Sequence, residues 1–585
     1  MRQLKKILAL LLTTGMIAGS LAACGSKEST ETQPAAETTA EETEQADEAT
    51  AEVDNDGYLV WNLGSEPKTL DPNLYNDAPT RMIITQMYES LTYPTADGVE
   101  PGVAESWEMS DDCMTYTFHL RKDAKWSDGS PLTANDFYYT WMRICNPENA
   151  VPMSTTMVDY VAGAAEYFNG TGSAEDVQIK VVDDYTLEVG LKSPMPFFAE
   201  QVSLHNYSPV KQEAVESGGD SWATNPETQI SNGPFKFVEY QVGSHILLEK
   251  NENYWNADAV KIKGIKIVFV NDSNTSLQAY QSGEIDATDV IPPEQLPTLI
   301  AEDSNLQITE SPSTTYFYFN VDVEPLTDVK VRRALTLAID RSAITEQITK
   351  AGEIPATGYL PSCLQNTQGE SVRKLDADGN PTPEYGIDPY SASVEEAQKL
   401  LAEAGYENGE GFPTIDILYA TGDLNKLVVE AVQQMWKDNL NIDVTVRNLD
   451  FADFMTEKGN GNFMVARNAT TGSYYDASSM MKQFLSTGGS NTGWRWQYYE
   501  GTPYDTNLNP EQKEFDELYD KAMNATGTER DELWAQVEDV LMENAPICPL
   551  YYSMNTRLIN GDKVQGVITS KDSRWVFKRA EFVTK

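Results

Sequence analysis

At Gly57 the character of the chain changes abruptly. From Gly25 to Asp56 there is no aromatic residue, and threonine, alanine and glutamate dominate, as in Thr38-Thr39-Ala40-Glu41-Glu42-Thr43. From Gly57-Tyr58-Leu59-Val60-Trp61 onward, apolar and aromatic residues recur at strand and helix spacings to the end of the chain. The first segment cannot bury enough apolar surface to offset the entropy of ordering its backbone, and its like charges repel, so it reads as an extended, disordered linker. Folding is thereby confined to about 530 residues, more than one ordinary core can serve, and two or three domains are expected.

Within this body, strand and helix patterns alternate along the whole length. Strands are expected at Tyr58–Asn62, Thr115–Leu120, Val177–Val182, Thr186–Leu191, Ile246–Lys250, Ile265–Val270, Tyr316–Asn320, Thr414–Tyr419 and Ile442–Asn448. Ser393-Val394-Glu395-Glu396 has the form of a capping box, and the helix it opens should stop at Gly405. Helical spacing also marks Val329 to Ile339, Leu427 to Trp436, and Arg530 to Met542, the last ended by Pro546. Thr133, with Asp136 three residues on, caps a helix carrying Phe137, Tyr138 and Trp141, and Trp126-Ser127-Asp128-Gly129 reads as a tight turn. Elements of both kinds, mixed throughout, imply α/β domains that exchange chain segments.

Ahead of the linker, Arg2, Lys5 and Lys6 precede the apolar run Ile7 to Leu12, and the stretch ends at Leu21-Ala22-Ala23-Cys24. This is the layout of a secretory signal, too short and too interrupted for a membrane span. The final four residues resemble the lipobox of bacterial lipoproteins, which implies lipidation of Cys24 after removal of residues 1–23, with 24–56 as a tether. The net charge of −47 argues against nucleic acid, whose phosphates need a basic surface. Besides Cys24, the cysteines Cys113, Cys145, Cys363 and Cys548 are widely spaced and form no CxxC pair, so no metal site is expected, and spacing leaves any disulfide open. His119, His205 and His245 all sit in strand-like contexts and read as structural. No nucleophile elbow, zinc-protease motif or phosphate-cradling loop is present, so no catalytic residue and no cofactor are expected.

Several blocks resemble the peptide/oligopeptide solute-binding proteins of bacterial ABC importers (family 5, oligopeptide-binding-protein-like). They are Ser65-Glu66-Pro67-Lys68-Thr69-Leu70-Asp71-Pro72; Phe118 to Gly129 followed by Pro131 to Phe137; Asn232-Gly233-Pro234-Phe235; Asn251-Glu252-Asn253-Tyr254-Trp255; Ser282 to Asp286; Val331 to Leu335 with Ala338 to Arg341; and Leu400 to Gly405. The blocks occur in the family's order. The resemblance implies an α/β, two-lobed periplasmic-binding-protein-like fold of type II, in the large three-domain subclass, with discontinuous lobes and crossing hinge strands. Transferred here, lobe I would comprise 57–100, 200–313 and 549–585, an inserted domain II 101–199, and lobe III 314–548. Crossing strands would lie near Tyr316–Asn320 and Pro549–Tyr552.

It also implies ligand contacts. The stretch Val465 to Asp476 corresponds to a family segment reading Gly-Trp-x-x-Asp-Tyr-x-x-Pro, whose aspartate pairs with the ligand's amine. This chain has Ser473 at that aspartate, Thr470 at the tryptophan and Ala477 at the proline. A neutral serine cannot supply a charge-assisted pair. Either Asp476 takes over, or the ligand has no amino terminus recognised in this way. Arg467 matches a position where a cation can face a ligand carboxylate; a structural ion pair is the other reading. Among the aromatic clusters, Tyr316, Tyr318, Tyr474, Tyr475 and Trp494 are expected to face the ligand, with alternate strand residues going to the core.

The function implied is a lipid-anchored extracytoplasmic receptor, a monomer, that captures an oligopeptide or related small solute and delivers it to ABC-transporter permease subunits, with no bond made or broken. The same fold with a sugar, modified peptide or metal chelate as cargo, a peptide-pheromone sensing receptor, and a surface hydrolase are the alternatives.

Overall fold

In the computed structural model, the described residues are 57–583 apart from 76, 96–97, 150, 152–154, 473 and 487–509. The signal sequence, Cys24, the linker, Ser473 and Trp494 therefore lie outside the described residues.

Strands form at Tyr58–Asn62 and Thr115–Leu120, where period-two alternation predicts them, and at Gly264–Val268 and Ile415–Ala420, close to the expected spans. The strand expected at Tyr316–Asn320 is the end of a much longer one, Leu306–Phe319. Its first half carries Gln307, Thr309, Glu310 and Ser311, which is why an apolar pattern marks only the second half. The helix Ala134–Cys145 has the full capping box, with the Thr133 amide donating to the Asp136 carboxylate at 2.7 Å. The box expected at Ser393 does not form: the Ser393 hydroxyl instead points to the Gly386 carbonyl at 3.4 Å, and its helix, Val394–Glu403, starts without a side-chain cap. Gly129 and Gly405 have φ of +87° and +95°, the left-handed geometry their turn and helix stop require.

Among the described residues, one sheet of eleven strands runs through the body. Its centre is an antiparallel pair, Leu306–Phe319 and Ile547–Ile559, in contact over almost their whole length. One end of the first strand, with Val465–Thr471, Ile415–Ala420 and Val444–Leu449 beyond it, belongs to a core built on Phe317, Trp436, Phe484 and Trp534. Beyond the second strand, Ala287–Thr288, Tyr58–Asn62, Gly264–Val268, His245–Lys250 and Phe235–Gln241 continue the sheet over a core built on Trp61, Ile265, Trp575 and Phe577. A separate four-stranded antiparallel sheet, ordered Ala104–Met109, Thr115–Leu120, Thr186–Gly190, Ile179–Asp183, carries a core of its own around Phe118, Trp141, Phe198 and Tyr207. Two long strands thus connect bodies that otherwise bury their apolar surface separately, the arrangement a hinge needs.

Several of the motif residues are joints of this frame. Arg341, 1% exposed, donates from Nε to the Pro549 carbonyl at 2.9 Å, tying its helix to the second long strand. Arg332 donates to the carbonyls of Leu326, Thr327, Asn544 and Ala545. Asn232 brackets Glu89, accepting from its amide at 3.1 Å and donating to its carbonyl at 2.7 Å. His119 and His245 lie on strands, but His205 opens a single 3-10 turn, because the Leu204-His205-Asn206 backbone is used for the turn rather than a ladder. His205 is buried against the Thr85 hydroxyl and the Arg574 guanidinium, and burial holds its pKa well below the usual value. Cys113, Cys145, Cys363 and Cys548 are unpaired.

Candidate functional site

The segment following strand Val465–Thr471 is where the bodies meet. Register places Arg467 opposite Phe317, Asn468 opposite Tyr316, and Thr470 opposite Thr314 on the first long strand. Opposed residues share a face, so Arg467 and Asn468 point to opposite sides of the sheet. Arg467 is half-buried. Its Nη2 donates to the Tyr551 hydroxyl at 3.1 Å, its Nε is buried without an acceptor, and no carboxylate lies within ion-pair distance among the described residues. The structural ion pair considered from the sequence is thus not found among the described residues, and a desolvated guanidinium carries unspent donor capacity.

A second cation escaped the sequence reading. Lys458, 7% exposed on the helix Phe451–Gly459, points its Nζ at the Asn468 side-chain oxygen at 3.2 Å, with the Tyr318 and Phe454 rings at 5.4 and 5.5 Å. It too has no carboxylate partner among the described residues. Burial pulls its pKa from 10.5 down to about 8. Its four-residue spacing from Phe454, on the buried side of that helix, was the available signal. The unfolded chain holds more protons than the folded one between these two values, so this lysine makes stability rise with pH from about 8 to 10.5. Lys458→Met is therefore expected to be more stable than the parent at pH 7 by about 3 kcal/mol. The gap should close above pH 10 in urea titrations, and a gap that did not change with pH would contradict the assignment.

The tyrosines need correcting. Tyr316 and Tyr318 do lie on one face, but that face is closed: they are 0% and 2% exposed. Their hydroxyls bond each other at 3.0 Å, and that of Tyr316 also meets Thr470 at 2.8 Å and Asn468 at 3.0 Å. Buried hydroxyls must be paired within the protein, and these are, so both residues organise the sheet face and neither presents an open ring in this structure. Tyr474 is also buried, in an unexpected place. It leaves its own core and enters that of the four-stranded sheet, stacked on Phe197 at 5.2 Å with its hydroxyl 2.9 Å from that of Tyr160. Lys482 pairs with Asp159 beside it, and the Arg530 guanidinium lies 5.3 Å from the Phe197 ring. The three contacts form a clasp between bodies.

Asp476 is likewise committed. It forms a buried ion pair with Arg530 at 2.8 Å and caps the helix Ala477–Met481 by accepting from the Ser478 amide at 2.9 Å. A carboxylate already carrying a guanidinium and a helix cap has little left for a ligand amine. Of the four candidate tyrosines Tyr316, Tyr318, Tyr474 and Tyr475, Tyr475 is the one not fully buried. Its ring lies 5.0 Å from the Lys571 ammonium, and it lines a crevice with Val99, Glu200, Ser203 and Asp572. Burial raises the Glu200 pKa there, against the pull of Lys571.

No group of three or more histidine, cysteine or acidic side chains suited to a metal occurs among the described residues. Nor is any described helix long and apolar enough to cross a membrane. What remains is an interface between bodies on a common hinge, with an aromatic clasp and a half-buried arginine that has no counter-ion among the described residues.

Residues 98–492 match the family described as bacterial extracellular solute-binding proteins, family 5 (middle region). The chain is 34% identical over 505 residues to the periplasmic oligopeptide-binding protein OppA of Salmonella typhimurium, covering 86% of this chain and 88% of that one. It is 32% identical over 533 residues to the oligopeptide-binding protein OppA of Bacillus subtilis, covering 90% and 92%. The crystal structure of Haemophilus influenzae OppA complexed with RPPGFSPFR superposes with a TM-score of 0.71 at 29% identity, covering 90% of this chain and 99% of that one. The chain therefore belongs to the bacterial extracellular solute-binding proteins of family 5, with their α/β, two-lobed, type II periplasmic-binding-protein-like fold.

Proposed function

We propose that this protein captures oligopeptides between its two lobes and hands them to the permease of an ABC importer, held at the membrane by lipid on Cys24. Lobe I would take 57–100, 200–313 and 549–585, domain II 101–199 and lobe III 314–548; the three largest of the four cores, which follow these bounds approximately, and the two long connecting strands support this partition. The relatives named as oligopeptide-binding proteins supply the cargo class. The observation that carries the reading is Arg467, a half-buried cation beside the hinge strands with a free donor and no acidic partner among the described residues. A peptide carboxylate fits that vacancy in charge and geometry, because guanidinium and carboxylate meet through parallel hydrogen bonds.

Opening and closing about the long strands turns binding into a signal. Ligand held from both lobes stabilises only the closed form, and the permease reads that form. The lipid and linker keep the receptor at high effective concentration near its transporter. With Asp476 engaged by Arg530, recognition leans on the carboxyl end of the peptide and on its backbone.

The test is a pair of peptides of one sequence, with free and amidated carboxyl ends. Arg467→Gln should weaken binding of the free acid by roughly 10- to 100-fold, as expected for a charge-assisted hydrogen bond, and leave the amide nearly unchanged. Equal losses in calorimetry would return Arg467 to a structural role.

A further inference from the structure

A hollow of ligand size lies away from this interface. It has a volume of about 980 Å3 and opens between the helix Ala134–Cys145 and the stretch from Gln212 to Thr224. None of its lining residues belongs to the site above. One continuous stripe of the helix lines it, at positions 135, 138, 139, 142, 143 and 146, while Phe137, Trp141, Ile144 and Cys145 on the opposite side fill the core. The stripe therefore faces a space of ligand size.

The chemistry of that wall is distinctive. In a chain of net charge −47, the ionised side chains among its described lining residues are Asp71 and Arg143, and these cancel each other, while Glu213 and Glu216 on the neighbouring helix Gln212–Gly218 add negative charge beside Tyr139. Arg143 reaches Asp71 at 2.7 Å and Asn73 at 2.6 Å, and the Trp222 indole N–H donates to Asp71 at 3.3 Å, so the floor is electrically spent. Above it stand the rings of Tyr138, Tyr139 and Tyr167, with Tyr138 38% exposed, the amide of Asn135, and the Gln212 amide, whose Nε2 donates to Glu216 at 2.7 Å. Such rings give flat apolar faces with a polar edge, and amides offer donor and acceptor side by side.

We propose that this hollow is a second binding site, for a neutral oligosaccharide. A pyranose has C–H faces that lie on aromatic rings and hydroxyls that both donate and accept, which matches rings bordered by amides. An acidic glycan finds no free cation among the described lining residues, because Arg143 is already satisfied, and Glu213 and Glu216 repel it. A proline-rich peptide also docks on aromatic-lined grooves and offers carbonyl acceptors, so it is the competing occupant that the experiment must exclude.

The experiment uses maltotetraose and acetylated chitotetraose as neutral probes, a tetragalacturonate as the acidic one, and a proline-rich decapeptide, each titrated into the full chain with heat and ligand-observed NMR as readouts. At least one neutral tetrasaccharide should bind at one site, and the tetragalacturonate should not. Tyr138→Ala should weaken that binding by about tenfold and Tyr138→Phe should preserve it, as expected for loss and retention of a stacking face. Both variants should melt within a few degrees of the parent, since the ring lies at the surface. Absence of neutral saccharide binding at millimolar concentration, affinity unaffected by Tyr138→Ala, or occupation of the hollow by the proline-rich peptide would overturn the assignment.

Discussion

Tyr474→Ala is expected to lower affinity for an oligopeptide by roughly 10²- to 10³-fold, with little change in the melting temperature of the ligand-free protein. The ring stacks on Phe197 with an interplanar angle of 18° and meets Tyr160 edge-on, burying itself in a core to which its own strand does not belong. Truncating a buried aromatic costs about 3–5 kcal/mol where the contact is present. If the bodies part in the ligand-free protein as proposed, the contact is made only on closure, so the penalty falls on the closed form and affinity is reduced by the same factor as the closed population. Tyr474→Phe keeps the stack and loses the hydroxyl contacts with Tyr160 and Ser478, at a cost of about 1–2 kcal/mol. Lys482 and Asp159 are 40% and 32% exposed, so breaking that pair should matter little. If Tyr474→Ala bound peptide like the parent, or unfolded the free protein outright, the clasp would be an ordinary piece of core.

Asp476→Ala is expected to destabilise the fold by about 3–5 kcal/mol, because it strands Arg530, 4% exposed, as a buried charge without a partner. It also removes the cap of the helix Ala477–Met481. Free-amine and acetylated forms of one peptide should lose affinity to the same extent. Removing both partners, as Asp476→Ala with Arg530→Met, should recover part of the stability, since the uncompensated charge is gone. Chemical denaturation reports the first effect and paired titrations the second. A selective loss for free-amine peptides at unchanged stability would put Asp476 in contact with the ligand after all.

These two residues show how far the sequence reaches. Strand alternation separates Phe317, which packs on Trp436 at 6.0 Å, from Tyr316 and Tyr318 on the other face. It does not say which face is open, because both are lined by aromatic residues. The ordered motifs mark the frame well: Asp71, Asn232, Arg332 and Arg341 are all joints between segments distant in the chain. The fate of Tyr474 depends on Tyr160, and that of Asp476 on Arg530, partners separated by 314 and 54 residues. No local pattern encodes such pairings. The same holds for Arg467, whose lack of a counter-ion among the described residues is a property of the folded neighbourhood rather than of the residues beside it. Lys458 was closer to legible, but one lysine on the apolar side of a helix reads first as a snorkelling side chain.

The most direct test of capture by closure is a distance. Donor and acceptor dyes at the exposed turns around Gly243 and Gly411, one in each lobe, should report a shorter separation as an oligopeptide is titrated in, saturating at one peptide per protein. Tyr474→Ala should shift that transition to higher peptide concentration. Peptide that bound with measurable heat while the separation stayed constant would contradict a mechanism in which a captured peptide draws the lobes together.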